Sequence, residues 1–358
     1  MDTDRGSTLS PEGRDNRRGT KIGHSLVSTT ALAGIPEFIE ASAGAGAVSR
    51  AFYAADVPEA VIGRRGYFIP HRAFSLILEL GARSAGDPAF GLSMAPNLHI
   101  ATWGAFGAFV LQGGSIAERL QRLVRALPFH GADDSMELIA VDNELHFHYD
   151  IPSSGMIGYA HYAIAAVRYV QTIVAPFLAP GWAPLRIEFD FPKPRHAALF
   201  EDLFQCPVIF DAPRWTIVIG RDMDLVVNPE RPRSQTVTLS DLRRQARPAA
   251  PTSFDEEIRE LVRMQLLDGQ VSIDRAGAQL GLGVRTLQRH LDSQNLAFRD
   301  IVLQTRLARA SELLRETNSP ITEIATSLGY SSPANFSRAF RKSQGISPMD
   351  FRTFPRVV

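Results

Sequence analysis

Residues 284–291, VRTLQRHL, divide one short stretch between two duties. Val284, Leu287 and Leu291 recur at the spacing of one helix face, while Arg285, Gln288 and Arg289 crowd another. The same division returns at an offset of 49: Leu287 corresponds to Phe336, Arg289 to Arg338 and Leu291 to Phe340. The outer faces correspond too, with Arg285, Gln288, Arg289 and Asp292 matched by Ala334, Ser337, Arg338 and Arg341. Each copy follows a leucine-glycine pair, Leu280-Gly281 and Leu328-Gly329, and the second turn carries one extra residue. A short helix, a glycine turn and a second helix with a polar outer face make a helix-turn-helix, whose second helix is shaped to enter the DNA major groove.

The side chains suit that role. Arginine can bond guanine O6 and N7 with both arms of its fork, and glutamine can do the same to adenine N6 and N7, each discriminating by roughly 1–3 kcal/mol against the wrong base. The competing reading is a helical bundle whose arginines merely solvate its surface. Two matching copies argue against it.

The helices around these units announce their ends. Helical patterns run over 253–268, 272–280, 284–292, 298–316, 320–328, 333–343 and 348–353, with no strand pattern beyond Ser253. Gly281 and Gly329 stand as C-terminal stops. Ser319-Pro320 and Ser347-Pro348 place a capping serine before a first-turn proline. Residues 298–316, FRDIVLQTRLARASELLRE, read as one helix roughly 27 Å long, able to hold two recognition helices about one DNA turn apart. From 271 to 358 there are 12 Arg and Lys against seven Asp and Glu. That excess predicts moderate salt dependence, with helix N-termini adding phosphate contacts.

The rest of the chain bounds the class of protein. The 358 residues allow two domains with sizeable cores, and the formal net charge of zero excludes a uniformly basic coat. Thirty-five arginines against three lysines (Lys21, Lys193 and Lys342) reflect genome composition more than function. Cys206 is the sole cysteine, which excludes an internal disulfide and a cysteine-rich metal site and fits a reducing cytosol. No signal-peptide core stands at the N-terminus, and the greasiest stretch, residues 155–182, is broken by His161, Arg168, Gln171 and two prolines. A soluble, cytoplasmic protein that does not enter a membrane is expected.

Residues 1–28 are polar and read as a disordered tail. Residues 29–228 mix helix periodicity (RAFSLILELGARSA, SIAERLQRLVRAL) with strand-like runs (ELHFHYDI, LRIEFDF, RWTIVIG), which predicts an α+β domain. Residues 229–252 are rich in Pro, Arg and Ser and read as an interdomain linker with one short helix at LSDLRRQA. Residues 253–358 form an all-α domain of two helix-turn-helix units joined by the long helix.

Taken together, RTLQRHL, TRLARASELL, PITEIATSLGYSSPANFSRAFRK and GISPMDFR closely resemble the paired helix-turn-helix domain of the AraC/XylS transcription regulators. The resemblance covers about 100 residues. It implies base-reading positions at Arg285, Gln288 and Arg289 in the first unit and at Pro333, Ala334, Ser337 and Arg338 in the second. Two glycines depart from the pattern. Gly283 stands where the family usually has a capping serine, and Gly277 where it usually has alanine. Since helical glycine costs up to about 1 kcal/mol relative to alanine, a loosened first unit that orders on DNA is expected.

The N-terminal half is similar to a subgroup of that family with a long arabinose-binding-type regulatory domain. The similarity rests on GDPAFGLSMA, WGAFGAFVLQGGSIAERLQRLVRAL and HAALFEDLFQCPVIFDAPRWTIVIGRDMDLVVNP. The resemblance implies a transcriptional regulator, with an activator expected, acting on double-stranded promoter DNA with RNA polymerase. Control would come through a small-molecule effector, a homodimer, or both, without a cofactor. Trp103, Phe106, Phe109, Tyr159 and Tyr162 are the candidates for an apolar effector pocket, although aromatics at such spacings more often form core.

Other motifs carry less. His146 and His148 share one strand face but lack a third ligand at recognisable spacing, so no metal site is expected. GLSMA around Ser93 has Ala where a nucleophile elbow needs its final Gly, and no strand precedes it. GAGAVSR at 44–50 lacks the third glycine of a dinucleotide fingerprint and reads as a turn into a helix. Cys206 reads as a small buried hydrophobe. The function alternatives are a bifunctional regulator with an enzymatic N-terminal domain, and a regulator whose N-terminal domain is only a dimerisation scaffold.

Overall fold

The computed structural model describes residues 25–131, 133–177, 182–221, 236–245 and 250–353. Strand β1 (Leu26–Ser28) pairs antiparallel with β2 (Phe68–Pro70). Around that ribbon lie α1 (Ile35–Ala43), α2 (Ala47–Ala54), α3 (His71–Ala85), α4 (Phe90–Met94), α5 (Ala105–Leu111) and α6 (Ile116–Ala126). A larger sheet follows, made of β3 (Ser135–Val141), β4 (Glu144–Asp150), β5 (Arg186–Glu188), β6 (Val208–Ile209) and β7 (Thr216–Gly220). Its spatial order is β3-β4-β7-β5-β6, antiparallel except between β5 and β6.

The β3-β4 hairpin turns on Asp142 and Asn143, and Asp142 takes a φ of 50°, which a short polar side chain tolerates. Along β4, buried Leu145, Phe147 and Tyr149 alternate with Glu144, His146 and His148 on the other face, the period of two expected of a half-covered sheet. Helix α7 (Tyr159–Val174) is buried on nearly every side, and Trp215 beside β7 donates its indole N–H to the Ala163 carbonyl at 3.1 Å. That burial makes residues 159–174, the centre of the greasiest stretch, part of the core. No helix among the described residues is long and apolar enough to cross a membrane. Helix α8 (Ala198–Phe204) completes this α+β domain with Phe200 and Phe204 in its core.

The C-terminal region is wholly helical among the described residues. After α9 (Leu239–Gln245) come α10 (Phe254–Gln265), α11 (Ile273–Leu280), α12 (Val284–Ser293), α13 (Phe298–Glu316), α14 (Ile321–Ser327), α15 (Pro333–Gln344) and α16 (Pro348–Thr353). Ser272 caps α11 by accepting from Arg275 N, and Ser332 caps α15 by accepting from Asn335 N, with Pro333 in the first turn. Gly281, at φ 71°, ends α11 in the left-handed conformation that glycine adopts without strain.

Two apolar cores meet at α13. One runs unbroken from Leu26 through the N-terminal domain into α10, α11 and α12 and reaches Ile301. The other is separate and joins Leu307, Ala310 and Leu314 to Ile324, Leu328, Phe336 and Phe340. Ile301 and Thr305 therefore face one core, while Leu307, Ala310 and Leu314 lie on roughly the opposite side of the helix. The strut changes its buried face halfway along, which gives each helix-turn-helix unit its own seat.

Some sequence expectations need correction. Ser319 does not cap α14, whose N-cap is Pro320 with no side-chain hydrogen bond. The tail ends before residue 28, because Ser25, Leu26, Val27 and Ser28 are buried and the last three form β1; residues 1–24 lie outside the described residues. The linker's short helix forms as α9, and the described linker residues, 236–245 and 250–252, pack on the N-terminal domain. Leu242 of α9 is buried, Val237 N donates to Gln112 Oε1 at 2.8 Å, and Ala250 N donates to the Pro128 carbonyl at 2.6 Å. Finally, Gly277 tightens the first unit where looseness was expected. A Cβ there would stand 2.8 Å from the Leu282 carbonyl oxygen, and Leu282 N donates to the Gly277 carbonyl at 2.7 Å. The missing side chain lets the turn close directly on the helix.

Candidate DNA interface and effector cavity

Helices α12 and α15 present the two outer faces identified by the repeat. On α12, Leu287 and Leu291 are buried while Arg285, Gln288 and Arg289 are exposed. On α15, Phe336 and Phe340 are buried, Pro333, Ala334 and Arg338 are exposed, and Ser337 is half-buried. Arg285 and Arg289 make no hydrogen bond or ion pair within the described residues, so their forks face solvent with full donor capacity. Arg338 instead donates to Asn335 Oδ1, one helical turn back. Asn335 is exposed and belongs to the same outer face, yet the sequence reading passed over it. Its signal was the i, i+3 spacing to Arg338.

The N-terminal domain holds the first unit by α10 and α11 and leaves both outer faces uncovered. Phe68 N donates to Glu260 Oε1 at 2.9 Å, and Arg263 donates to both Glu260 and the Gly66 carbonyl. The same guanidinium lies over the Tyr67 ring, 3.9 Å from its centroid. Further along, Arg275 reaches Asp56 Oδ1 at 2.6 Å, Gln279 donates to the Asp56 carbonyl at 2.8 Å, and Arg72 donates to the Ala278 carbonyl at 3.2 Å. Open clefts of about 450 and 440 Å³ flank Arg263, between the 64–68 loop and residues 304–313 of α13.

Of the five aromatic candidates, Trp103, Phe106 and Tyr162 line one apolar cavity of about 30 Å³. Phe109 lies outside its walls, with the Arg122 guanidinium 5.0 Å from its ring. Tyr159 also lies outside, its hydroxyl donating to Asp190 Oδ1 at 2.5 Å. Tyr169, Tyr149 and His130 complete the wall and were not anticipated, because residues from α7, β4 and the turn after α6 converge only in three dimensions.

Charge at the cavity is tightly managed. Asp134, buried beside it, accepts from Tyr149 at 2.5 Å and lies 3.0 Å from His71 Nε2. Burial pushes the Asp134 carboxyl up, but His71, His130 and the Tyr149 hydrogen bond outweigh that and hold it below its ordinary value. Burial drives the His130 imidazole down to about 4, which leaves it neutral at pH 7. Gly131 makes this arrangement feasible, since a Cβ there would collide with Asp134 Oδ2.

His146 Nε2 lies 2.8 Å from Glu144 and His148 Nδ1 lies 2.8 Å from Thr216 Oγ1. No group of three metal-binding side chains forms among the described residues. Ser93 lies in α4 rather than after a strand, and its hydroxyl donates to Asp87 at 2.7 Å. Gly46 directly precedes α2. Cys206 is buried, and that burial raises its thiol to about 11.

Comparison with known proteins agrees with this architecture. Residues 46–223 match the arabinose-binding N-terminal domain of the AraC transcription regulators, and residues 276–353 match a helix-turn-helix domain. The chain is 26% identical to the ornithine utilization regulator of Pseudomonas aeruginosa, over 75% of this chain and 80% of that protein. It is 25% identical to the HTH-type transcriptional regulator VirS of Mycobacterium tuberculosis, over 84% of this chain and 89% of that one. The crystal structure of the transcriptional regulator CdpR from Pseudomonas aeruginosa superposes with a TM-score of 0.38 at 18% identity, covering 86% of this chain and 97% of that one. A regulatory α+β domain of the arabinose-binding type precedes a double helix-turn-helix here, and the chain belongs to the AraC family of DNA-binding transcriptional regulators.

Proposed function

We propose that this protein is a cytoplasmic transcriptional activator that reads promoter DNA with both recognition helices and recruits or contacts RNA polymerase. Arg285, Gln288 and Arg289 read one element; Pro333, Ala334, Ser337 and Arg338 read the next. The N-terminal domain adjusts this reading in response to a small molecule and to self-association as a homodimer, without a cofactor and without catalysis.

The observation that carries the reading is the exposure of both outer faces while their inner faces are packed. Leu287 and Leu291 fix α12 to one core, and Phe336 and Phe340 fix α15 to another. Each helix is thus held at a set angle with its polar side offered outward, the geometry that major-groove recognition needs. The contacts from Asp56, Gly66 and Phe68 give the regulatory domain a grip on the first unit alone. A ligand that favours one arrangement of that grip shifts DNA affinity by its differential binding to the two arrangements.

Selection of binding sites from a random DNA pool by the full-length protein, followed by footprinting, tests the double reading head. Two short elements about one helical turn apart support it; a single element leaves one unit without a base-reading role. Transcription in vitro from the selected site with RNA polymerase then tests the sign of regulation, and reduced output would overturn the activator assignment.

A further inference from the structure

We infer that the apolar cavity behind Trp103 is the site of the effector, and that it takes an uncharged, ring-sized, largely apolar molecule carrying one hydrogen-bond acceptor such as a carbonyl. The inference rests on the effector-control reading above and names the ligand chemistry.

The polar groups around the cavity define what is missing. Trp103, His130 and Tyr169 are 7%, 4% and 8% exposed; the Trp103 indole N–H and the Tyr169 hydroxyl lie near each other without a well-aligned hydrogen bond, and neither they nor His130 Nδ1 has another partner. Buried polar atoms without partners are rare and costly, and they call for a water or a ligand. Indole N–H can only donate, so the absent partner must supply an acceptor. Phe74, Ile100, Leu123, Ala166, Val170 and Ile173 make the remaining wall apolar.

Charge is excluded by the same lining. No arginine or lysine lines the inner cavity and His130 is neutral at pH 7; Arg65 lines only the outer space, so an anion seated in the inner space would find no countercharge in its wall. Asp134 is the nearby carboxylate, and it is already held by His71 and Tyr149, so a cation would compete with two existing partners.

Size and gating follow from the stacked pair. Trp103 lies against His130, with ring centroids 4.7 Å apart and planes at 16°. Both residues also line a second cavity of about 40 Å³ on their other side. The inner space of about 30 Å³ holds only about two waters, so a ring enters by moving this pair and joining the two spaces. The outer cavity is walled by Gly66, Phe68 and Leu242. Gly66 and Phe68 are the residues bonded to Arg263 and Glu260 of α10, and Leu242 belongs to the linker helix α9. Displacement of Trp103 therefore acts directly on the loop that grips the first helix-turn-helix unit.

The test is ligand-observed ¹⁹F NMR on the full-length protein without DNA, using 4-fluoroacetophenone, 4-fluorotoluene and 4-fluorobenzoate at millimolar concentration. The expected order is 4-fluoroacetophenone above 4-fluorotoluene, with no binding of 4-fluorobenzoate. Trp103→Phe and Tyr169→Phe keep the packing and should weaken the ketone about three- to tenfold while leaving the toluene nearly unchanged. Ala166→Phe fills the space and should abolish both, with thermal unfolding confirming that the variant folds. Absence of binding by the ketone, preference for the benzoate, or ketone binding indifferent to Ala166→Phe would each overturn the inference, the first meaning that the cavity holds ordered water only. Because no DNA is present, a failed DNA-recognition reading and a failed cavity assignment give separate results.

Discussion

The Arg275 guanidinium of the first helix-turn-helix unit lies 2.6 Å from the Asp56 carboxylate of the regulatory domain, across 219 positions of sequence. Asp56 also accepts from Gln279 through its main-chain carbonyl, so one residue binds α11 twice. The second unit has no comparable hold on the N-terminal domain among the described residues, since its core is separate and is reached through α13. Under the proposed function, a change at this contact would alter the placement of α12 against α15.

Removal of the contact should loosen docking without unfolding either domain. Asp56 is partly exposed and Arg275 keeps Asp268 as a second partner, so Asp56→Asn should cost no more than about 1 kcal/mol. Hydrogen exchange should quicken in 273–280 and remain unchanged in 321–344. Equal quickening in both segments would show that the units are not independently held.

The DNA contacts are tested by two arginines and one asparagine. Arg289→Ala or Arg338→Ala should weaken binding to the selected site by roughly 1–3 kcal/mol and relax the preference at one base pair. Asn335→Ala should act on the same base pair as Arg338→Ala, because Asn335 orients that guanidinium. Competition binding against single-base variants of the site measures all three, and unchanged affinity for either arginine variant would remove that residue from the reading face.

Two glycines should respond in opposite directions. Gly277→Ala forces a Cβ against the Leu282 carbonyl oxygen and should destabilise by about 1–3 kcal/mol, the usual cost of overpacking, despite alanine's better helix propensity. At Gly283, φ is −70° and no atom stands within 4 Å of a Cβ, so Gly283→Ser adds a cap and should stabilise by roughly a few tenths of a kcal/mol. Thermal unfolding of both variants checks the pair. In the second unit the corresponding residue is Ala325, where Tyr330 N donates to the Ala325 carbonyl at a more relaxed 3.0 Å.

The pH dependence of stability should carry the mark of Glu257. Burial, reinforced by nearby Asp133, raises its carboxyl to about 8, well above the unfolded value near 4.5. The folded state therefore holds a proton that the unfolded state releases. That contribution is full below the unfolded value and is lost as pH rises through about 8. Glu257→Gln should flatten the decline of the unfolding midpoint between pH 5 and 8, the range roughly spanned by the two carboxyl values. A decline identical in wild type and variant would place its origin elsewhere.

The double helix-turn-helix was legible in the sequence because its signals are local. Apolar residues at helical spacing, Ser347-Pro348 at one N-terminus and Gly281 at one C-terminus act within a few residues of themselves. The outer faces of α12 and α15 follow from the same periodicity, since a helix with one packed side leaves the other exposed. Tertiary structure decided what periodicity does not encode. Gly277 looked like a weakness by propensity, and only the approach of Leu282 shows it as a requirement of the turn. Composition read residues 1–28 as a disordered tail, yet residues 26–28 pair as β1 with β2, and in the linker Leu242 is buried. The cavity assembles Trp103, His130, Tyr149 and Tyr169 from separate elements, and the domain contact joins Asp56 to Arg275. Such contacts depend on how whole elements pack in space, and no repeat along the chain records which distant side chains that packing brings together.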